Sequence, residues 1–154
     1  MPDNPEQKSA ADDPVYRLFN EIGIINQLSG AAFRDVLPRP LNEAMFGVLN
    51  HFCRLGDGKS PSFLAEAFQV ARPSMTNTLE KLERAGLVRI EAHPADARGK
   101  LVFITDAGRE ARECAVAAVL PLFAKIAPVL ERLDAAALLR DLASLREALD
   151  RARN

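Results

Sequence analysis

The chain alternates between stretches in which apolar residues recur with helical spacing and short polar breaks that contain Pro or Gly. From Pro14 onward, apolar side chains return every three or four positions, which is typical of an amphipathic helix. Asp13 and Pro14 predict its start, and Pro38 and Pro40 predict its end near Val36. The apolar stripe comprises Val15, Leu18, Phe19, Ile22, Ile25 and Leu28.

Three shorter helices are predicted next. Asn42 is the expected cap of the second helix, which stops at the turn 56–58. Ser60, followed by a proline, begins the third helix, and Pro73 opens the fourth, which Gly86 terminates. The predicted buried residues are Met45, Val48, Leu49 and Phe52 in the second helix, Leu64, Phe68 and Val70 around the third, and Met75, Leu79 and Leu82 in the fourth.

After Gly86 the apolar period changes from about 3.6 to 2, which indicates β-structure. Residues 87–91 and 101–105 predict the two strands of a hairpin. The polar segment 93–100 between them predicts a long basic loop that contains His93, Arg98 and Lys100.

Helical spacing resumes at Thr105 and continues to about Leu133, with kinks expected at Pro121 and Pro128. Asp134 predicts the cap of a final helix. Its apolar stripe is formed by Leu138, Leu139, Leu142, Leu145 and Leu149.

The order of elements predicts a mainly α fold with a small β-hairpin wing. Residues 41–105 form a winged helix-turn-helix, and residues 14–40 and 106–154 supply flanking helices that we expect to mediate dimerisation. Residues 1–13 are polar and acidic and predict a disordered tail.

Composition adds a weak electrostatic signal. The chain has 154 residues, of which 48% are hydrophobic, and a net charge of −1. Residues 59–100 nevertheless hold seven Lys or Arg against five Asp or Glu. Two cysteines, no apolar leader and no run long enough to span a bilayer predict a soluble, cytoplasmic protein without membrane contact.

The fourth helix carries the candidate base-reading residues. With its apolar side packed inward, it presents polar side chains outward: Arg72, Ser74, Thr76, Asn77 and Lys81. Asn pairs well with adenine, and Lys meets guanine or phosphate, so this face fits the major groove of double-stranded DNA. Glu80 and Glu83 would repel phosphate and are expected to turn away. The alternative is that these residues form an ordinary solvated helix face that does not contact DNA.

The wing supplies the second candidate contact. Arg98 and Lys100 lie at its tip, and an Arg there can enter a narrow minor groove. Asp96 could orient the Arg98 guanidinium through an ion pair; otherwise it is an ordinary turn residue.

These residues resemble the MarR family of regulators. The segment LERAGLVRIEAHPADARGKLVFITDAGRE at 82–110 is similar to the end of that family's recognition helix, its wing and the start of its next helix. Residues 41–49 and 61–82 are similar to its second, third and fourth helices. The resemblance implies a homodimer on a pseudopalindromic operator, in which Arg98 enters the minor groove beside Asp96. Asn77 departs from the family, which often has Arg after the Thr.

The resemblance also implies a repressor relieved by a small aromatic or phenolic effector. Phe19, Phe46 and His51 could line the effector cleft, although they are better interpreted as core and surface residues without a ligand. The dimer has independent support, because the apolar stripes of the first and last helices exceed what the winged unit can cover. An intramolecular helical bundle is the alternative.

Other classes of function have less support. Cys53 and Cys114 could make the chain redox-responsive, but they are better interpreted as small buried hydrophobic residues. Two His and two Cys without ligand spacing predict no metal site and no cofactor. Motifs for an enzyme are missing, so catalysis is not expected. A winged helix that binds only protein remains the other alternative.

Overall fold

The computed structural model of the protein describes residues 9–153, so the first eight residues of the predicted tail lie outside the described part. The chain divides into two compact units, the first ending at Ala118 and the second beginning at Val119. In order, the elements are a 3-10 turn at Ala10–Asp12, α1 (Pro14–Val36), α2 (Glu43–Leu55), α3 (Pro61–Ala67), α4 (Arg72–Arg84), β1 (Val88–His93), β2 (Asp96–Ile104), α5 (Asp106–Ala124), α6 (Ala127–Leu130) and α7 (Ala135–Arg153). The 3-10 turn replaces the end of the predicted disordered tail.

Helix starts were predicted correctly wherever a side chain caps the first turn. Such a cap accepts hydrogen bonds from backbone amides that have no partner inside the helix. The confirmed caps are Asp13, which accepts from Val15 N at 2.8 Å, Asn42 from Met45 N at 3.0 Å, Ser60 from Phe63 N at 3.2 Å, and Asp134 from Ala137 N at 2.9 Å.

The core of the first unit joins α2, α3, α4 and the hairpin. The predicted inward faces of α2 and α4 are buried, as are Leu64, Val88, Val102 and Ile104. The prediction that Val70 is buried is wrong, because this residue is 43% exposed. Gln69 adopts a left-handed conformation with φ of 52° and turns the chain away from the core. Beside Leu64, the buried side chain near α3 is that of Ala65, which was not predicted.

The hairpin is longer than the sequence predicted. β1 and β2 pair antiparallel, with Ile90 opposite Val102 and Ala92 opposite Lys100. His93 then faces Asp96 after a register shift, so only residues 94–95 connect the strands. The predicted loop 93–100 is therefore wrong. Lys59 also bridges to Val102, which places β2 between Lys59 and β1.

The junction between β2 and α5 is closely packed. The Thr105 hydroxyl donates to the carbonyl of Gly86 at 2.7 Å and accepts from Gly108 N at 3.0 Å, so it caps α5 while tying it to the end of α4. A Cβ on Gly108 would collide with the Leu87 carbonyl oxygen and lie 2.9 Å from Cγ1 of Ile104. The spacing Thr-x-x-Gly thus has a structural cause.

The predicted single kinked helix from 105 to 133 is also wrong. Pro121 lies inside α5, which continues to Ala124 before the chain breaks. Pro128 occupies the first turn of α6, where a missing amide donor has no cost. In the second unit, α7 is a regular helix with exposed leucines. Within residues 9–153, no helix combines the length and apolarity needed to cross a membrane.

Candidate nucleic-acid interface

α4 is held by its buried side, which fixes the direction of every outward side chain. Met75, Leu79 and Leu82 are almost fully buried. The five residues predicted to contact DNA are all exposed on the remaining surface of the helix: Arg72, Ser74, Thr76, Asn77 and Lys81. Sequence pattern and structure agree because the burial of a short amphipathic helix determines its orientation.

Successive residues of a helix are rotated by about 100°, so the exposed residues of α4 point in three directions. Asn77 points directly away from the buried side, Ser74 and Lys81 lie to one side of it, and Arg72 and Thr76 lie to the other. Arg84, seven residues after Asn77, shares its direction and is exposed. Arg84 was not among the predicted contacts, although its seven-residue spacing from Asn77 was the available signal.

Hydrogen bonds within α4 limit what its hydroxyls can offer. The Thr76 hydroxyl donates to the carbonyl oxygen of Arg72 at 3.0 Å. Because a hydroxyl has a single donor, Thr76 presents its methyl group and acceptor lone pairs to the outside. No such bond restricts Ser74 within the described part of the chain, so its hydroxyl can still donate.

The acidic residue Glu83 is turned toward the hairpin. Its Oε1 accepts a hydrogen bond from Ile90 N at 3.2 Å. This carboxylate is therefore directed at the strand, as expected from the sequence, while Glu80 is exposed.

The tip of the wing (residues 88–104) is held by short-range hydrogen bonds. Asp96 Oδ1 accepts from Arg98 N at 2.9 Å, and His93 Nδ1 accepts from Ala95 N at 3.1 Å. A Cβ on Gly99 would lie 2.8 Å from the His93 Cβ, so only glycine fits beside it. Arg98 and Lys100 are exposed on this ordered tip.

The contact between Asp96 and Arg98 differs from the expected one. Among the described residues, no ion pair joins the Asp96 carboxylate to the Arg98 guanidinium. Asp96 binds the Arg98 amide instead, so it fixes the backbone from which the guanidinium extends. The guanidinium itself stays available to an external anion.

Arg89 is a basic residue on the wing that is already engaged. Its guanidinium lies over the Phe103 ring, 4.5 Å from the centroid, and pairs with Glu91. These local contacts compensate its charge. Arg98 is therefore the better candidate for contact with a phosphate backbone or groove.

The three predicted effector residues do not come together. Phe46 lines a cleft of about 510 Å³ between α1 and α2, which also contains Phe33, Arg34 and Glu43. Phe19 is not among its lining residues and is exposed on α1. His51 faces α3, where its ring centroid lies 6.4 Å from that of Phe63 and 5.5 Å from that of Phe68. In the single chain, Phe46 therefore lines a cleft that neither Phe19 nor His51 lines.

The two cysteines occupy different environments. Cys53 is half-buried against the core, as expected, but Cys114 is exposed on α5, which corrects the prediction that both are buried. Both thiols are free. Within residues 9–153, no three His, Cys, Asp or Glu side chains are grouped to hold a metal ion.

This arrangement of helix and wing recurs in known proteins. Residues 40–99 match the sequence model of the MarR family. The structure of the transcriptional regulator BldR from Sulfolobus solfataricus is 27% identical, with a TM-score of 0.69 over 90% of this chain and 96% of that one. Over residues 40–99 the chain is thus similar to the MarR family.

Two further solved structures are similar. Wild-type MarR from E. coli is 25% identical, with a TM-score of 0.65 over 88% of this chain and 96% of that one. CouR from Rhodococcus jostii, solved with p-coumaroyl-CoA, is 22% identical, with a TM-score of 0.67 over 92% of this chain and 94% of that one. No curated protein sequence matches the chain.

These similarities confirm the predicted fold class and support the class of function. Within residues 9–153 the fold is mainly helical with a two-stranded hairpin, as in the winged-helix structures of MarR regulators. MarR proteins are DNA-binding transcriptional regulators and not enzymes, and the similarity supports the same class of function for this chain.

Proposed function

We propose that this chain is a MarR-type regulator that binds a pseudopalindromic operator as a homodimer and acts as a repressor that a small ligand releases. The observation that carries the proposal is the exposure, on one lobe, of the polar face of α4 together with a wing tip that presents Arg98. A recognition helix and a wing contact adjacent grooves of one duplex when they belong to the same rigid unit.

In this proposal α4 reads bases in the major groove. Asn77, at the centre of the outward face, pairs with adenine, and Lys81 meets guanine or phosphate. Arg72 and Ser74 contact the backbone and set the register of the helix. Thr76 offers its methyl group to a thymine methyl.

Arg98 enters the minor groove, where the negative potential is enhanced when the groove is narrow. Asp96 restrains the backbone at Arg98, which lowers the entropy lost when the guanidinium is inserted. Lys100, on the same strand, contacts phosphate.

The dimer is supported by the apolar side chains that the single chain leaves exposed. On α1 these include Val15, Leu18, Ile25 and Leu28, and on α7 they include Leu138, Leu139 and Leu149. Burial of each such side chain is worth about 1.5–3 kcal/mol. In a two-fold dimer, the segments 14–40 and 106–154 would mediate the association and would place two recognition helices about 34 Å apart.

The cleft between α1 and α2 is the proposed effector site. Phe33 and Phe46 meet edge to face with centroids 4.9 Å apart, and Arg34 lies beside Glu43. Aromatic walls suit a small aromatic ligand, and a carboxylate on that ligand would replace Glu43 as the partner of Arg34. CouR, a structural neighbour, binds an aromatic acyl-CoA, and the release of bound duplex by added phenolic acids would test this part of the proposal.

The DNA contact is tested on a duplex selected from a random pool by binding to the wild-type protein. Arg98→Ala is expected to weaken binding to that duplex at least about fivefold in an anisotropy titration at fixed salt, because a base or groove contact is lost. Arg132→Ala, which removes one exposed positive charge in the second unit, is the matched control and should bind like wild type.

Equal affinity for wild type and Arg98→Ala would contradict the wing contact. If no duplex is enriched at all, the winged helix serves protein contacts instead and the whole proposal fails.

A further inference from the structure

The recognition helix and the wing are joined directly by a side chain of α4. Glu83 Oε1 accepts from the backbone amide of Ile90 at 3.2 Å, so a carboxylate on the last turn of the helix binds the middle of β1. At 100° per residue, Glu83 projects from the same side of α4 as Arg72 and Thr76. That side of α4 therefore faces the wing.

The Ile90 amide lies on an open strand edge. β1 pairs with β2 alone, and β2 is bridged on its other side by Lys59, so β1 is the outer strand of this small sheet. An amide on such an edge has no strand partner and can donate to an acceptor outside the sheet. Glu83 supplies that acceptor and attaches the free edge of the wing to the recognition helix.

The attachment point matters because a small rotation at the base of the wing produces a larger displacement at its tip. Strand residues rise about 3.3 Å each, so the tip at Ala95 lies roughly 16 Å beyond Ile90. A tilt of about 10° at Ile90 would move the tip by roughly 3 Å, which exceeds the tolerance of a hydrogen bond. The angle at the base of the wing thus decides whether Arg98 reaches its groove while α4 sits in the adjacent one.

We infer that Glu83 is a positioning residue for DNA binding: through Ile90 it sets the angle of the wing relative to α4. The inference rests on the wing contact proposed above. It also gives an acidic residue of the recognition helix a use that keeps its charge directed at an amide and away from phosphate.

A double-mutant cycle tests the inference with the selected duplex. Glu83→Gln keeps an oxygen that can accept from Ile90, whereas Glu83→Ala removes it, and both remove the charge. Glu83→Ala is therefore expected to bind about fivefold more weakly than Glu83→Gln when Arg98 is present. In the Arg98→Ala background the same difference should fall below about twofold, because a misplaced wing no longer matters.

A second readout does not depend on DNA. Amide hydrogen exchange followed by NMR should show faster exchange at Ile90 in Glu83→Ala than in Glu83→Gln or wild type. Glu80→Ala, which removes an exposed acid from the same helix, is the control and should leave Ile90 unchanged in exchange rate.

The outcomes separate the two claims. Equal losses from Glu83→Ala in both backgrounds, or unchanged exchange at Ile90, would overturn the positioning role and leave the wing contact intact. An Arg98→Ala variant with full affinity would overturn the wing contact, and the positioning role with it.

Discussion

At the scale of single residues, His51 stands out because its half-buried ring holds a polar atom without a partner. Its Nε2 is enclosed and makes no hydrogen bond within the described structure, and the neighbouring rings belong to Phe52, Phe63 and Phe68. Burial lowers the pKa of His51 below its ordinary value of 6.5, and the positive charges of Lys59 and Arg54 lower it further. The imidazole is therefore neutral in the folded lobe near neutral pH.

This environment predicts that the winged lobe loses stability in mild acid. Because the folded pKa is lowered, the unfolded chain binds a proton that the folded chain refuses. The stabilising contribution is complete above about pH 6.5 and is lost as the pH falls toward the folded pKa. Urea unfolding between about pH 7.5 and about pH 5 should show the midpoint decreasing.

His51→Leu should flatten this pH dependence, because leucine fills the site without a titrating group. His93→Gln is the control, since His93 lies on the wing, and it should keep the slope of the wild type. If the urea midpoint of His51→Leu still decreased with pH as in the wild type, His51 would not be the group that causes the pH dependence.

Residues whose role depends on near neighbours were predictable from sequence. The helix caps Asp13, Asn42 and Ser60 act on amides two or three positions away. Val70 was placed wrongly because the left-handed turn at Gln69 rotates it outward, which no apolar period reveals. Similarly, an ion pair was expected between Asp96 and Arg98, but the carboxylate instead accepts a hydrogen bond from the Arg98 backbone amide.

At the scale of elements, the junction between the wing and α5 is the most constrained part of the first unit. Gly108 has ordinary helical backbone angles, so glycine is not required there for its conformational freedom. It is required because it has no Cβ, which lets α5 lie against the Leu87 carbonyl. Thr105 joins the same point to the end of α4 through Gly86.

Gly108→Ala is expected to destabilise the protein by about 2 kcal/mol, because the added methyl group overpacks the junction. Helix propensity alone would favour alanine by about 1 kcal/mol. A lower free energy of unfolding therefore indicates overpacking, and a higher one indicates that helix propensity dominates. Chemical denaturation measures it, and a more stable variant would refute the close contact.

The elements themselves were predicted with their order, type and most boundaries. The two errors have different physical causes. The wing extends through 93–100 because Ala92 pairs with Lys100 and His93 with Asp96, and strand pairing of this kind cannot be derived from the polar sequence of the tip. The break between α5 and α6 was assigned to proline kinks, yet Pro128 begins a helix instead.

At the scale of the whole molecule, the apolar surface is the main feature that the single chain leaves unexplained. Leu28 on α1 and Leu139 on α7 are both 68% exposed. Monomeric soluble proteins seldom expose many large apolar side chains together. The sequence pattern predicted these stripes correctly, and their use in a dimer is part of the proposed function.

Leu142, at the centre of the α7 stripe, provides a test of the dimer. Leu142→Glu is expected to raise the dissociation constant of the dimer at least about tenfold, because a charge would be buried in the interface. Sedimentation at micromolar concentration measures the change. Arg140→Glu introduces the same side chain on the opposite side of α7 and should remain dimeric.

A wild-type protein that sediments as a stable monomer would contradict the dimer outright. A dimer that resists Leu142→Glu would place the interface elsewhere.

The open edge of β1 has a consequence for the behaviour of the protein in a crowded cell. A hairpin with a free edge is a template on which a strand of another molecule can be added. In this wing the Ile90 amide is already bound by Glu83, and charged Arg89 and Glu91 stand along the same short strand. The wing is thereby protected against edge-to-edge aggregation, even though it must project from the protein surface.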